Sequence, residues 1–367
     1  MKLALLGDIA LMGAYSSCSK EKLKVIENYL SQFDYVVGNL ETPFSCKGKR
    51  YGVKSAYIYA NPDSLDILKL LHVNALNLAN NHIFDYGKEG YELTKQLLKE
   101  NDIRYFGAEG KHLIIECGDN KLAFSGFCCY SSNPLRCVPC GRYGINRYNL
   151  DEVYSIMKQH SEQGCLNIIS VHAGQEHVNY PSINHIRAAR MLADSYPYVY
   201  YGHHPHVIQG LENYRGSILS YSIGNFCFDD VYSSLADTKP LVVLTENNRT
   251  GVVLELIIEK NKVIKCREQV IHIGEDGVIS LVDDNTFLSE YNKMVENSEL
   301  QLDNYLSSRN HKIKNFVSDR KSKRDFKWYI KRLRLRYMKL FLNTKRNARL
   351  YSKNVVKYIN YEYKAKT

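Results

Sequence analysis

The sequence predicts a layered α/β fold, and three observations predict it. Short apolar runs bounded by polar or glycine residues alternate with segments of helical periodicity through the first two hundred residues; polar residues gather just past the runs; and from Val207 the alternation gives way to consecutive β-type runs. Residues 3–6, 35–38, 75–78, 122–127, 167–171 and 198–201 read as buried strands. Between them, residues 20–31, 64–71, 87–99, 151–163 and 183–195 carry apolar side chains at helical spacing, with Asn61-Pro62 and Asn149-Leu150-Asp151 as helix starts. That alternation places helices over a central sheet. The later runs, 207–211, 217–222, 241–245, 251–259 and 263–273, predict an antiparallel or mixed sheet packed on the first. Residues 1–273 are therefore expected to form one domain, 274–304 a polar linker rich in Asp, Glu and Asn, and 305–367 a basic, tyrosine-rich helical region.

With 44% hydrophobic and 24% charged residues over 367 positions, the composition excludes general disorder, a collagen-like repeat and a disulfide miniprotein. The ten cysteines, with Cys128 and Cys129 adjacent, suit no simple disulfide framework and favour a reducing compartment. The first apolar run stops at Asp8, short of the roughly 7–15 residues a signal peptide needs. No run of about 18 apolar residues is free of charge. The expected location is thus the cytoplasm, with peripheral contact at the inner face of the membrane, and with no signal peptide or transmembrane helix. The net charge of +10 belongs to the tail, which holds 20 of the 49 basic and 3 of the 39 acidic residues and leaves the rest net negative. Nucleic acid is not expected as a partner, because no nucleic-acid-binding motif accompanies the charge.

The polar residues past the strands carry the chemistry. Asp8 follows the first strand, Asn39 and Glu41 the second, Asn80, Asn81 and His82 the third, His172 a later one, and His203, His204 and His206 the next. Ligands of α/β sheets bind beyond the carboxyl ends of the strands, so these groups should converge on one crevice. Each has a plainer reading by itself: a helix cap for Asp8, a turn for Asn-Asn-His, a satisfied core histidine for His172. Together they are a carboxylate, amide and imidazole set without thiolate. That set suits one or two divalent ions such as Mn, Fe or Zn. Two ions about 3.5–4 Å apart clamp a phosphate ester and acidify a bridging water, which makes a metal-dependent hydrolase the natural reading.

Six ordered stretches then resemble one family: Leu6-Gly7-Asp8, the run from Gly38 to Pro43, the run from Ala79 to Gly87, the run from Val171 to Glu176, the run from Gly202 to Gln209, and the run from Tyr221 to Phe226. They are similar to the bacterial CapA family of poly-gamma-glutamate capsule synthesis proteins, in the calcineurin-like metallophosphoesterase superfamily. The resemblance implies a four-layer α/β/β/α sandwich, to which the tail's own composition adds a basic helical C-terminal extension. It places Asp8 and His206 on a first metal and Asn81, His172 and His204 on a second, with Glu41 bridging or close by and Asn39 competing for that position. His82 is implied as the general acid. Asp85 would either hold the His82 tautomer or cap the helix starting near Gly87. Glu176, His203 and Asn225 stand as substrate-contact candidates, the last two alternatively as neighbours that order the site. One departure is Ala10, where many superfamily members carry a histidine, so the first metal lacks a ligand and the centre could be mononuclear.

The implied function is a phosphoesterase-like hydrolase in capsule or extracellular polymer biosynthesis, acting on a phosphoester or an anionic polymer. The alternatives are a gamma-glutamyl amide hydrolase or transferase, and a non-catalytic metal-binding assembly factor for a polymer synthase. Cys128, Cys129, Cys137 and Cys140 lie close in sequence, but an adjacent pair is poor geometry for zinc. In the tail, Phe326, Ile330, Leu333, Tyr337 and Leu340 fall at helical spacing among Lys and Arg. The tail reads either as a docked helix with a solvated basic face or as one lying on an anionic leaflet.

Overall fold

The computed structural model describes residues 1–17, 19–45, 48–233, 236–322 and 335–360. Fourteen strands build two large sheets: β1 (Lys2–Ile9), β2 (Tyr35–Leu40), β3 (Ala75–Asn77), β4 (Arg104–Phe106), β5 (Leu113–Cys117), β6 (Asn120–Cys128), β7 (Leu166–His172), β8 (Tyr198–His203), β9 (Leu211–Tyr214), β10 (Ser217–Ser220), β11 (Asn225–Cys227), β12 (Thr250–Glu259), β13 (Lys262–Ile273) and β14 (Ile279–Val282). The first sheet runs β14-β13-β12-β1-β2-β3-β4, with β11 beside the end of β1, and the second runs β9-β10-β8-β7-β6-β5. β1 to β4 are mutually parallel, as are β6, β7, β8 and β10.

These strands are apolar on both faces, as parallel strands covered on both sides must be. Leu3, Leu5, Val37 and Phe106 of the first sheet meet Phe124, Ile168, Val199 and Tyr201 of the second between the sheets. The period of two sends Ala4, Leu6 and Val36 outward, onto α1 (Lys24–Leu30), α2 (Leu65–Leu70) and α3 (Gly87–Glu100). Phe127, Ile169, Val171 and Tyr200 point outward from the second sheet, onto α4 (Leu150–Glu162) and α5 (Ile183–Ala193). The result is four layers, α/β/β/α. One helix begins as the sequence suggests, with Asn149 accepting from the main-chain N–H of Glu152 at 3.1 Å, and Ser182 caps α5 in the same way, accepting from the His185 N–H at 3.2 Å.

Some expectations change. Residues 207–210 are not a strand, and only Leu211 of that run begins one, β9: Ile208 makes an isolated bridge to Ile223, because His204 and His206 take positive φ (94° and 56°) and turn the chain into a loop. The 241–245 run overlaps only the end of a small hairpin, Val231–Ser233 with Ala236–Val242. β4 and β5 escaped the sequence because one is three residues long and the other alternates around exposed Ile114 and Glu116.

Residues 274–304, expected as a linker, are part of the fold. β14 pairs with β13, and after α6 (Glu246–Arg249) the next helix, α7 (Thr286–Glu296), buries Leu288 and Val295. The acidic and amide residues between those positions hid the helical stripe. The tail is also docked. α8 (Leu302–Ser322) buries Tyr305, whose hydroxyl donates to the carbonyl of Pro181 at 2.7 Å. Beyond α9 (Leu335–Tyr351), Val355 and Ile359 are buried in the same apolar cluster as Ile186, Tyr200 and Leu219. Phe326, Ile330 and Leu333 of the expected stripe lie outside the described residues.

Docking of the tail makes a stability difference. Ile359→Ala is expected to lower the free energy of unfolding by about 2–5 kcal/mol in denaturant titration, whereas Phe341→Ala on the exposed surface should stay within about 0.5 kcal/mol. Equal small effects would contradict the docked arrangement.

Candidate metal centre

The centre is built at the carboxyl ends of both parallel sheets. In the first, Asp8 lies in register with Asn39 of β2 and with Asn225 of β11, and Asn39 in turn with Asn77 of β3. A register shift between Leu5 and Asp8 re-aims the end of β1. In the second, His172 and His203 end neighbouring strands in register. The loop after β8 carries His204 and His206 back across the gap, and the His204 main-chain N–H donates to Asp8 Oδ2 at 3.1 Å.

A chain of amides decides which residue faces the centre beside Asp8. Asn77 Oδ1 accepts from the Ala79 N–H at 2.9 Å, so its Nδ2 must be the donor to Asn39 Oδ1 at 3.0 Å. Asn39 therefore spends its oxygen on Asn77 and donates through Nδ2 to Asp8 Oδ1 at 2.8 Å. It orients Asp8 and offers no oxygen to a metal. Glu41 takes the position instead, 3.4 Å from His172 Nε2 and 4.0 Å from His206 Nε2. Asn81 Oδ1 stands 2.9 Å from the same His172 nitrogen.

The electrostatics of the cluster are unbalanced. Both oxygens of Glu41 are buried without a hydrogen-bond partner, as is His204 Nδ1. Burial, reinforced by the negative charge of Asp8, pushes the Glu41 carboxyl up to about 8. Burial also drives His204 down to about 3 and holds His172 well below the usual imidazole value, with neighbouring histidines adding to it. For His206 burial works the other way from the Glu41 and Asp8 carboxylates, which win and hold it up at about 10. Such orphaned atoms are rare in folded proteins. Those of Glu41, His203 and His204 lie together, where Asp8, Glu41 and His172 offer donor atoms within 4.8 Å of one another. That donor set fits a divalent cation, and these three residues would hold it, with Asn81, His204 and His206 bordering them.

His82 stands at the edge of this cluster in a second, distinct arrangement. Its Nδ1 is 2.7 Å from Asp85 Oδ2 and 2.8 Å from Lys54 Nζ. Lys54 also donates to Asp85 Oδ1 at 2.6 Å and to the Asn81 carbonyl at 2.8 Å, which gives its three ammonium hydrogens three acceptors. Asp85 is thus a partner of His82 and Lys54, not a helix cap; α3 has no side-chain cap. Lys54 had no signal in the sequence, because it lies in an irregular loop far from every motif.

Other candidates are placed differently. His203 is wholly buried, 3.2 Å from Asp8 Oδ1 but without hydrogen-bond geometry at either ring nitrogen. Asn225 is wholly buried, 3.0 Å from His206 Nδ1 and donating to the Asn248 carbonyl at 2.9 Å. Neither lines the cleft, so neither is a substrate contact: both lie behind the ligand layer. Glu176 does line it, 3.8 Å from Arg320. Ala10 is buried with its N–H on the Cys227 carbonyl and supplies no ligand. Cys128, Cys129, Cys137 and Cys140 are free thiols, and burial pushes Cys129 and Cys140 up to about 12, so they stay protonated. Among the described residues they form no metal-binding group.

The centre opens into a cleft of about 590 Å³ whose wall includes Lys54, His82, Arg136, Glu176, Arg320 and Arg346. A four-layer sandwich that brings carboxylate, amide and imidazole side chains from its strand ends to one buried cluster defines an α/β/β/α protein with a candidate metal site. The chain belongs to the bacterial capsule synthesis protein family PGA_cap, whose pattern matches residues 2–230. It is 27% identical over 267 residues to the PGA biosynthesis protein CapA of Bacillus subtilis, covering 67% of this chain and 68% of that one. It is 28% identical over 240 residues to the capsule biosynthesis protein CapA of Bacillus anthracis, covering 62% of this chain and 58% of that one. Among solved structures, Haemophilus influenzae NAD nucleotidase aligns at 12% identity with a TM-score of 0.42, covering 85% of this chain and 60% of that one.

Two outcomes follow from this geometry. His172→Ala should reduce metal content measured by elemental analysis, because it deletes one of three close donors; unchanged stoichiometry would remove the assignment. Lys54 and His82 outweigh burial and hold Asp85 below its ordinary 3.8, so the stability it contributes is present above about pH 4 and is lost as pH falls through the lowered value. Asp85→Asn should cost about 3–5 kcal/mol near neutrality, and the gap from wild type should narrow below about pH 4. A gap independent of pH would contradict the pairing.

Proposed function

We propose that this chain is a metal-dependent hydrolase acting on a phosphoester in capsule or extracellular polymer production. The observation that carries the reading is His82, a proton-handling imidazole on the cleft wall beside the candidate metal cluster and backed by Lys54 and Asp85. A metal site that only holds structure needs ligands but no such group. When bound, the divalent ion would acidify a water and polarise a phosphoryl oxygen.

The chain's own residues supply the rest. Burial and the Lys54 charge lower the His82 pKa, so the ring is neutral near pH 7. With its hydrogen on Nε2, the ring accepts from Lys54 at Nδ1 and offers a donor to a leaving group. With its hydrogen on Nδ1, it donates to Asp85 and offers an acceptor. Giving the Nε2 hydrogen to the leaving group while Nδ1 takes one from the Lys54 ammonium, 2.8 Å away, carries the ring from the first tautomer to the second without forming an imidazolate, and the Lys54 amine then regains its proton from solvent. Lys54, Arg136, Arg320 and Arg346 on the wall, against Glu176, favour an anionic substrate. The names of the Bacillus relatives support the setting in capsule or polymer synthesis.

A second reading, a non-catalytic metal-binding assembly factor, is favoured by Ala10, which leaves one familiar ligand position empty of a donor. A phosphatase screen of the metal-loaded protein separates the two. With an ester whose leaving group needs protonation, His82→Asn should lower turnover by roughly 10²–10⁴-fold, and Lys54→Met should lower it too, each with metal content retained. No turnover by wild type would contradict the hydrolase reading, and full turnover by His82→Asn would remove His82 as the acid.

A further inference from the structure

We propose that the outward face of α9 is a contact surface for an anionic lipid bilayer. Helix α9 lies beyond the residues that match the family, and it is two-sided. Leu340, Asn343, Thr344 and Asn347 face the cleft, with Asn347 buried against Asn133. On the opposite side Met338, Phe341 and Leu342 are 58, 58 and 60% exposed. Lys345 and Arg349 continue that side at helical spacing and are exposed, as are Lys353 and Lys357 beyond the helix end. Lys345 Nζ sits 4.5 Å over the Phe341 ring, its stem covering part of the aromatic face.

The charge on this side is of one sign. Residues 335–360 contain seven Lys and Arg and no Asp or Glu. A merely solvated basic face gains nothing from three large exposed apolar side chains, and soluble monomers seldom cluster them. Nucleic acid would be drawn by the charge but not by Met338, Phe341 and Leu342. A second copy of the same face would meet its own positive charge. An anionic leaflet satisfies both features, taking the apolar side chains into the headgroup boundary and pairing the cations with lipid phosphates. Leu340, which the sequence placed on the apolar stripe, turns inward instead; the membrane-facing residues are the next ones along. No described helix is long and apolar enough to cross a membrane, so the contact is peripheral.

Vesicle flotation of the full chain tests this with phosphatidylcholine vesicles, with and without phosphatidylglycerol. The protein should float with the anionic vesicles in 0.1 M salt and be released at 1 M, as the Debye length shrinks from about 10 to about 3 Å. Lys345→Ala with Arg349→Ala should weaken partitioning by about 30-fold. Phe341→Ser with Leu342→Ser should abolish flotation while leaving the melting temperature and metal content unchanged. Four outcomes overturn the proposal: no flotation at 0.1 M salt, equal flotation on both vesicles, variants that float like wild type, or binding to duplex DNA without binding to vesicles. A dimer seen by light scattering that Phe341→Ser with Leu342→Ser dissolves, without any flotation, would reassign the face to self-association.

Discussion

Two carboxylates buried in one small volume set the terms for the rest of the molecule. Asp8 is solvated by the protein: an Asn39 amide, the His204 main-chain N–H and the neighbouring histidines reach it. Glu41 is not, and its two oxygens have no hydrogen-bond donor. An uncompensated buried carboxylate costs several kcal/mol unless it stays protonated or meets a cation. The raised Glu41 pKa expresses the first outcome, and a divalent ion would supply the second. The imidazoles around it are for the most part kept neutral by burial, the form in which histidine coordinates a metal.

Bringing these groups together requires two sheets packed face to face to align their carboxyl ends, and the backbone shows the cost. A Cβ on Gly7 would run into the carbonyl of Gly224, and one on Gly202 into the carbonyl of Tyr221. Both glycines directly precede a residue of the centre, Asp8 and His203. The positive φ angles at His204 and His206 are strain of the same origin, held in place by the Asp8 and Asn225 contacts. The C-terminal helices complete the enclosure, with Arg320 and Arg346 reaching the cleft wall.

Much of this was legible in the sequence. Buried parallel strands announce themselves as short apolar runs, and polar residues at their ends need little else to be located, so Asp8, Glu41, Asn81, His82, His172, His204 and His206 could be assembled without coordinates. What escaped was decided by contacts rather than local pattern. Asn39 and Glu41 differ in role only because Asn77 fixes the Asn39 amide. His203 and Asn225 fall behind the ligands because of sheet register. Lys54 reaches His82 from an irregular loop, and the 274–304 segment folds because Leu288 and Val295 find a groove that composition cannot reveal. Local charge suggested an appended tail, while Tyr305, Val355 and Ile359 anchor it.

The account rests on Glu41 being a metal ligand rather than a protonated core carboxyl. Anomalous diffraction from crystals grown with Mn, collected at the metal edge, tests that directly. The account requires a peak among Asp8, Glu41 and His172, within bonding distance of a Glu41 oxygen. An empty cluster in Mn-loaded crystals, with Glu41 hydrogen-bonded to a protein group or water, would contradict it.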